Sequence, residues 1–139
     1  HYPLRRQRQM CIRDRMAMQH STGTPTAAEA ERIELAKLGP CMACLVLKMA
    51  GLLGSTCVVY GCDYNHAKSG NRRRGHMFGY ALCVWHHRRH PIEGKTLAQT
   101  REIYGPSLMD GSRVFHETYG SDDDLIEQQT HVIELRRAA

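Results

Sequence analysis

The distribution of apolar and polar residues predicts a small domain whose centre is made of two strands and a helix. Residues 55–64 are rich in β-branched and aromatic side chains, which favours a strand, whereas residues 66–75 are polar, basic and interrupted by glycine, which favours a loop. Apolar positions return over residues 77–82 and predict a second strand, and residues 83–90 can form one helix that Pro91 stops. The order strand, loop, strand, helix predicts an α+β fold built on a ββα unit.

Further helices are predicted on both sides of this unit. Residues 26–29, Thr-Ala-Ala-Glu, have the spacing of a capping box, and the helix that they begin ends at Gly39. Downstream, residues 106–119 can form a second helix. Ser121 and the three aspartates at 122–124 provide a cap and negative charge at the positive end of a last helix. We expect the two C-terminal helices to pack on the central unit.

The length of 139 residues allows one domain, and a bound metal would help to stabilise a core of this size. We divide the chain into a basic tail (1–15), a helical lead-in (16–40) and the main domain (41–139). No apolar segment approaches the roughly 20 residues that cross a bilayer, and no apolar signal segment opens the chain. The spacing of the six cysteines favours metal binding over disulfides, so we expect a cytoplasmic protein with no membrane partner.

The net charge of +5 is concentrated at the N-terminus. Residues 1–15 contain five arginines and one aspartate, while the remaining residues contain 14 basic and 13 acidic side chains. The segment shows no amphipathic period and resembles a translated sequencing adaptor, so we interpret it as a non-native or disordered tail. The alternative is a basic DNA-binding arm.

A second group of positive charges lies within residues 66–90, which contain no carboxylate. Such a group suits a polyanionic substrate, and we expect its members to contact the DNA backbone. The six side chains are Lys68, Arg72, Arg73, Arg74, Arg88 and Arg89. The alternative is a solvated cationic surface.

Two ligand pairs with the same spacing predict a structural zinc site. Two residues separate the members of each pair, a spacing that presents both ligand atoms to one tetrahedral ion. The predicted ligands are Cys41, Cys44, Cys83 and His86. A competing all-cysteine site would replace the second pair by Cys57 and Cys62.

Three histidines and an asparagine are the candidate catalytic residues. His66 follows the first predicted strand, where a neutral imidazole could take a proton from a water that attacks a phosphodiester. His87 directly follows the zinc pair and, with the carbonyl oxygen of Asn65, could bind a catalytic Mg²⁺ or Mn²⁺ ion. His76 could be a further ligand, could orient the base, or could be a surface histidine.

The order of these motifs resembles that of the phage recombination enhancement function (Ref) family of RecA-dependent HNH nucleases. The resemblance covers about residues 41–135. It rests on Asn65-His66, Ser69-Gly70, Arg73-Arg74-Gly75-His76, Leu82-Cys83, His86-His87-Arg88, Gly105-Pro106-Ser107, Phe115 and Tyr119-Gly120-Ser121.

The resemblance implies a ββα-metal (HNH) endonuclease of phage or prophage origin that a RecA filament directs to single-stranded DNA or a displacement loop. It implies that His66 is the base, His87 a ligand of the catalytic ion and His76 an accessory residue. HNH proteins usually have aspartate or histidine before the base, whereas this chain has the neutral Asn65. Asp63 would share its strand face and could compensate in part.

Two other functions are compatible with the sequence. One is a zinc-dependent DNA-binding module whose active centre has decayed, with Asn65 as the sign of decay. The other is a small zinc-containing adaptor that contacts only proteins. Cleavage of DNA with a divalent ion, leaving 5′-phosphate and 3′-hydroxyl ends, would distinguish the nuclease from both.

Overall fold

The computed structural model describes residues 23–139. The predicted basic tail and the first part of the lead-in, residues 1–22, lie outside this range. Two single 3₁₀ turns, Ser55–Cys57 and Leu108–Asp110, accompany the regular elements. In chain order these elements are α1 (Ala27–Leu38), α2 (Met42–Met49), β1 (Asp63–His66), β2 (Lys68–Ser69), β3 (Arg72–Arg73), β4 (Gly79–Leu82), α3 (Val84–Arg88), α4 (Leu97–Tyr104), α5 (Ser112–Tyr119) and α6 (Asp122–Ala138).

Strands β1 and β4 form an antiparallel pair that α3 follows directly, so the fold is α+β, as predicted. Their register pairs Asp63 with Leu82 at one end and His66 with Gly79 at the other. The segment predicted as a loop instead contains a second small hairpin, β2–β3. Its two-residue turn begins at Gly70, whose φ of 66° suits a tight hairpin turn, so the prediction of an irregular loop was incomplete.

The predicted first strand over residues 55–64 was mostly wrong, because regular pairing begins only at Asp63. The residues before it form hydrogen bonds with the end of α1 and with the turn that joins α1 to α2 instead. Cys62 N donates to Lys37 O, and Cys41 N donates to Val59 O. Tyr60 forms only an isolated bridge with Pro40, so these residues do not form a ladder.

The capping box at the start of α1 and the cap at Ser121 of α6 were predicted, and the structure shows that Ser121 also forms a capping box. Thr26 and Glu29 exchange hydrogen bonds at α1, and Ser121 and Asp124 do the same at α6. The predicted helix over 106–119 is instead divided into a 3₁₀ turn and α5. Gly111 separates the two with a φ of 132°, a conformation that a right-handed helix cannot contain.

Helix α3 is shorter than predicted. It ends at Arg88 because Arg89 adopts a left-handed conformation with a φ of 58°, before Pro91 can act as a stop. Helices α2 and α4 had no counterpart in the sequence prediction, although Thr96 and Gln99 form a capping box at α4 that the sequence contains. Short helices of this kind have weak apolar periodicity, so caps are their main local signal.

The core lies between the β1–β4 pair and helices α2, α5 and α6. Its largest fully buried side chains include Trp85, Tyr80 and Phe115. The buried Gln129 on α6 accepts a hydrogen bond from Ala81 N, so this backbone donor on the outer edge of β4 has a partner. Within residues 23–139, no helix has the length and apolar character needed to cross a membrane.

Candidate metal centre and active site

Three cysteines and one histidine converge in the interior where α2 and α3 begin. Their ligand atoms all lie within 4.8 Å of one another, and all four side chains are fully buried. The Nδ1 atom of His86 is 3.4 Å from Cys41 Sγ, 3.8 Å from Cys44 Sγ and 3.2 Å from Cys83 Sγ. A tetrahedral zinc ion with its usual bond lengths separates such atoms by about 3.6 Å. The group therefore has the composition and spacing of a site that could hold zinc.

The local sequence positions these ligands through the starts of two helices. Cys41 is the N-cap of α2 and Cys83 the N-cap of α3, so each following ligand lies one turn away on the same side. His86 Nε2 lies 2.8 Å from Tyr104 O, and a carbonyl oxygen only accepts. The hydrogen of His86 is therefore on Nε2, and the lone pair of Nδ1 points at the sulfurs, as a metal ligand requires.

The protonation of the thiols depends on their burial. Burial raises the pKa of Cys41, and the neighbouring Cys44 and Cys83 raise it further, whereas hydrogen bonds from Cys41 and Cys44 lower the pKa of Cys83. These contacts therefore favour ionisation of Cys83 and oppose ionisation of Cys41 and Cys44. A bound cation would favour ionisation of all three.

The competing all-cysteine site is not formed. Cys57 is exposed and Cys62 is buried beside Gly39 O, and neither belongs to the metal-ligand group found within residues 23–139. Burial raises the pKa of Cys62 to about 12, so it remains a neutral thiol. The geometry supports the histidine-containing set.

His66 lies at the end of β1 and contacts His76. The two atoms nearest each other, His66 Nε2 and His76 Nδ1, are 3.1 Å apart, and His76 Nε2 is 2.8 Å from Gly23 O. His76 is only 7% exposed, so its alternative interpretation as a surface histidine was wrong. Burial lowers the pKa of His66 to about 4, with further contributions from the charges of Arg73 and His76. His66 is therefore neutral at pH 7.

His87 lies on α3 and contacts β1 through Asp63. Its Nδ1 atom is 2.9 Å from Asp63 Oδ2, and Arg88 also binds the same carboxylate. Burial opposes ionisation of Asp63, but hydrogen bonds from His87 and Arg88 outweigh burial and lower its pKa. This arrangement leaves His87 Nε2 as the atom that could bind an ion.

A cavity of about 260 Å³ adjoins the end of β1. The hydroxyl of Tyr80 donates to Asp122 Oδ1 at 2.6 Å. His116 Nε2 lies 3.5 Å from the same carboxylate oxygen. The lining includes Asn65, His66, Lys68, Tyr80, His116 and Asp122. The last two were missed by sequence reasoning, since nothing local in the sequence links α5 and α6 to β1.

Three of the six predicted DNA-binding cations form ion pairs. The pairs are Arg74 with Asp123, Arg88 with Asp63 and Arg89 with Asp110. The segment 66–90 itself contains no carboxylate, and the three partners come from other parts of the chain.

The other three cations, Lys68, Arg72 and Arg73, are exposed on the β2–β3 hairpin. Among residues 23–139, no carboxylate forms an ion pair with them. They remain available to an external anion and lie close in sequence to both His66 and His76.

A family described as recombination enhancement, RecA-dependent nuclease, matches residues 25–134. The chain belongs to this family. The match confirms the resemblance inferred from the motifs, and it assigns the protein to a family named for nuclease activity in recombination. The matched residues include the buried group of three cysteines and His86, the β1–β4 pair and most of α6. No curated protein matches the chain.

Proposed function

We propose that this member of the RecA-dependent nuclease family is an HNH endonuclease that hydrolyses phosphodiester bonds in DNA with the help of a divalent ion. The observation that carries the proposal is the position of His87. It directly follows a buried metal-type ligand, lies on the helix after the β1–β4 pair, and has its ring held by a carboxylate of β1. These three features support the proposed ββα-metal fold.

The buried group of three cysteines and His86 would hold a structural zinc ion. Its four protein ligands fill a tetrahedral shell, so no position remains for a reactive water. The hydrogen bond between His86 Nε2 and Tyr104 O supports the required ring orientation. The ion would join the first turns of α2 and α3 and thereby fix the direction in which His87 projects.

His66 would act as the general base. A base must be neutral before it accepts a proton, and the lowered pKa of His66, about 4, meets this requirement at pH 7. Its side chain also lines the cavity beside β1, where a substrate phosphate and an attacking water could be accommodated. His76 would orient the ring of His66 through the 3.1 Å contact between them.

His87 and Asn65 would hold the catalytic Mg²⁺ or Mn²⁺ ion, together with substrate oxygens and water. An imidazole nitrogen and an amide oxygen suit Mn²⁺, and Mg²⁺ commonly binds proteins through few direct ligands. When bound, such an ion stabilises negative charge on the phosphate and on the departing 3′ oxygen. Asp63 is occupied by His87 and Arg88, so we assign it to orienting His87 rather than to ligating the ion.

The substrate class follows from the family and from the unpaired cations of the β2–β3 hairpin. Lys68, Arg72 and Arg73 are exposed next to the proposed base and would bind the phosphates on either side of the scissile bond. We propose single-stranded DNA or a displacement loop as the target, RecA as the partner that directs cleavage, and the cytoplasm of a bacterium that carries the phage or prophage as the compartment.

Cleavage assays test this function directly. Purified protein is incubated with single-stranded DNA, free or coated with RecA, and with Mg²⁺ or Mn²⁺. We expect metal-dependent cleavage that His66→Ala and His87→Ala each reduce by at least about 100-fold. His131→Ala, which removes an exposed histidine on α6, is the matched control. Tight DNA binding without cleavage by the wild type would instead support a zinc-dependent binding module, which the neutral Asn65 favours.

A further inference from the structure

A connected series of hydrogen bonds runs from the proposed base to helix α1. His66 contacts His76 at 3.1 Å, and the hydroxyl of Tyr64 donates to His76 O at 2.7 Å. Arg32 Nε donates in turn to that hydroxyl at 3.1 Å. The side chain of Tyr64 also packs edge-on against His66, with ring centroids 5.1 Å apart. Tyr64, two residues before the proposed base, therefore contacts His66 through its ring and His76 through its hydroxyl.

The hydrogen-bond partners determine which nitrogen of each ring carries hydrogen. A carbonyl oxygen only accepts, so His76 Nε2 donates to Gly23 O. A neutral His76 then presents the lone pair of Nδ1 to His66, and His66 Nε2 must be the donor of that contact. The lone pair of His66 consequently lies on Nδ1.

We propose that Tyr64 and Arg32 are positioning residues that, through His76, hold His66 in the Nε2–H form with Nδ1 directed at the attacking water. This inference rests on the proposed nuclease function, since it assigns the atom that receives the proton. As the water oxygen bonds to phosphorus and the bond to the 3′ oxygen breaks, one water proton moves to His66 Nδ1. The departing 3′ oxygen takes a proton from solvent, so charge and atoms balance.

Arg32 also binds the segment from His76 to Gly79 directly. Its NH2 group donates to Gly79 O at 2.9 Å, and its NH1 group donates to Thr130 Oγ1 at 2.8 Å. Gly79 pairs with His66 in the register of β1 and β4. Arg32 and Tyr64 therefore hold the segment from His76 to Gly79 by the carbonyl groups at both of its ends, and this segment is what faces His66.

The chemistry of Arg32 favours positioning over simple stabilisation. The side chain is 6% exposed, and the acceptors it contacts are neutral oxygen atoms of Tyr64, Thr130, Gly79 and Ile126. Burying a guanidinium without a carboxylate is costly, and an apolar side chain of similar size would often stabilise the fold as well. What the guanidinium adds is a planar set of directed donors that fixes the positions of several acceptors at once.

Two pairs of variants test the proposal on the full chain. Tyr64→Phe removes only the hydroxyl, and Tyr60→Phe removes the hydroxyl of an exposed tyrosine away from the site. His76→Gln retains an acceptor and a donor, whereas His76→Leu retains neither. We expect Tyr64→Phe to lower kcat about tenfold and His76→Leu about 100-fold, with the KM for DNA and the zinc content unchanged. His76→Gln should recover most of the rate that His76→Leu loses.

Nuclear magnetic resonance of ¹⁵N-labelled histidine rings supplies a readout that does not depend on cleavage. In the wild type we expect His66 in the Nε2–H form, and in His76→Leu a mixture of both forms. A wild-type His66 in the Nδ1–H form would overturn the proposal. So would equal kcat values for Tyr64→Phe and Tyr60→Phe in a wild-type background that cuts DNA. A wild type that shows the expected ring form but does not cut DNA would instead overturn the proposed function, and with it the catalytic role assigned to these residues.

Discussion

The Nδ1 atom of His87 lies 2.9 Å from Oδ2 of Asp63, a contact that joins α3 to β1 beside the proposed catalytic centre. A histidine that binds a metal through one nitrogen usually donates the hydrogen of the other to an acceptor such as a carboxylate. In the proposed site, this contact would orient His87 as a ligand, and Asp63 would not itself bind the ion. In the proposed site, the carboxylate of Asp63 would supply negative charge behind His87, while the neutral Asn65 would contact the ion directly.

Removal of this carboxylate should weaken binding of the catalytic ion. We expect Asp63→Ala to raise the Mn²⁺ concentration needed for half-maximal cleavage by about 10–100-fold, because the ring of His87 loses its acceptor. Glu117→Ala, which removes an exposed carboxylate on α5, is the control. Mn²⁺ titrations followed by cleavage and by electron paramagnetic resonance give the measurement. Identical titrations for both variants would contradict the role of Asp63.

Zinc should be required for folding. Binding energy at such a site is also folding energy, so Cys44→Ser should lose both the metal and the cooperative unfolding transition. Cys57→Ser changes an exposed thiol outside the ligand group and should behave as the wild type. Elemental analysis should give one zinc per chain for the control, with circular dichroism reporting the fold. Full zinc content in Cys44→Ser would rule out the assigned ligand set.

The unpaired cations of the β2–β3 hairpin should dominate DNA affinity. For single-stranded DNA, each lost phosphate contact reduces the slope of log K against log salt by about 0.7. We expect that reduction for Arg72→Ala and for Arg73→Ala in fluorescence anisotropy titrations. Arg113→Ala, which removes an exposed arginine paired with Glu117, should leave the slope unchanged. Equal slopes for all three variants would place the DNA elsewhere.

The β1–β4 pair should not accept a side chain at Gly79. A Cβ atom there would lie 2.5 Å from the Tyr64 ring and 2.8 Å from Asn65 O, so Gly79→Ala should lower the free energy of unfolding by about 1–3 kcal/mol. Gly54 has open space around it and a φ of −66°, so Gly54→Ala should be neutral or slightly stabilising. Urea unfolding compares the two. Equal effects would mean that β1 and β4 are further apart than described.

The 3₁₀ turn before α5 should make stability depend on acid pH. Burial opposes ionisation of Asp110, but hydrogen bonds from Ser107 N, Arg101 and Arg89 outweigh it and lower its pKa from the usual 3.8. The folded protein therefore binds fewer protons than the unfolded chain at acid pH. The contribution of Asp110 should be complete above about pH 4 and be lost as the pH falls further. Urea unfolding of the wild type and Asp110→Asn from pH 6 to pH 2.5 should show the two curves converging in acid, and a constant difference would contradict it.

The sequence by itself determined the features that depend on residues within one helical turn. The spacings Cys41 to Cys44 and Cys83 to His86 place ligand pairs at helix starts, and the capping boxes at Thr26 and Ser121 define two helix N-termini. Each of these relies on hydrogen bonds or ligand directions three residues apart, so local sequence is sufficient. The motif order around them was enough to indicate the family.

Only the tertiary structure decided which groups lie together across the chain. It paired Arg74 with Asp123, 49 residues away, and brought Arg32 within hydrogen-bond distance of the Tyr64 hydroxyl, 32 residues away. It also replaced the strand predicted before Asp63 by hydrogen bonds to the turn after α1, because backbone donors bind whichever acceptor the packing brings near. Long-range partners of this kind depend on how the helices pack around the β1–β4 pair, and no local pattern encodes that arrangement.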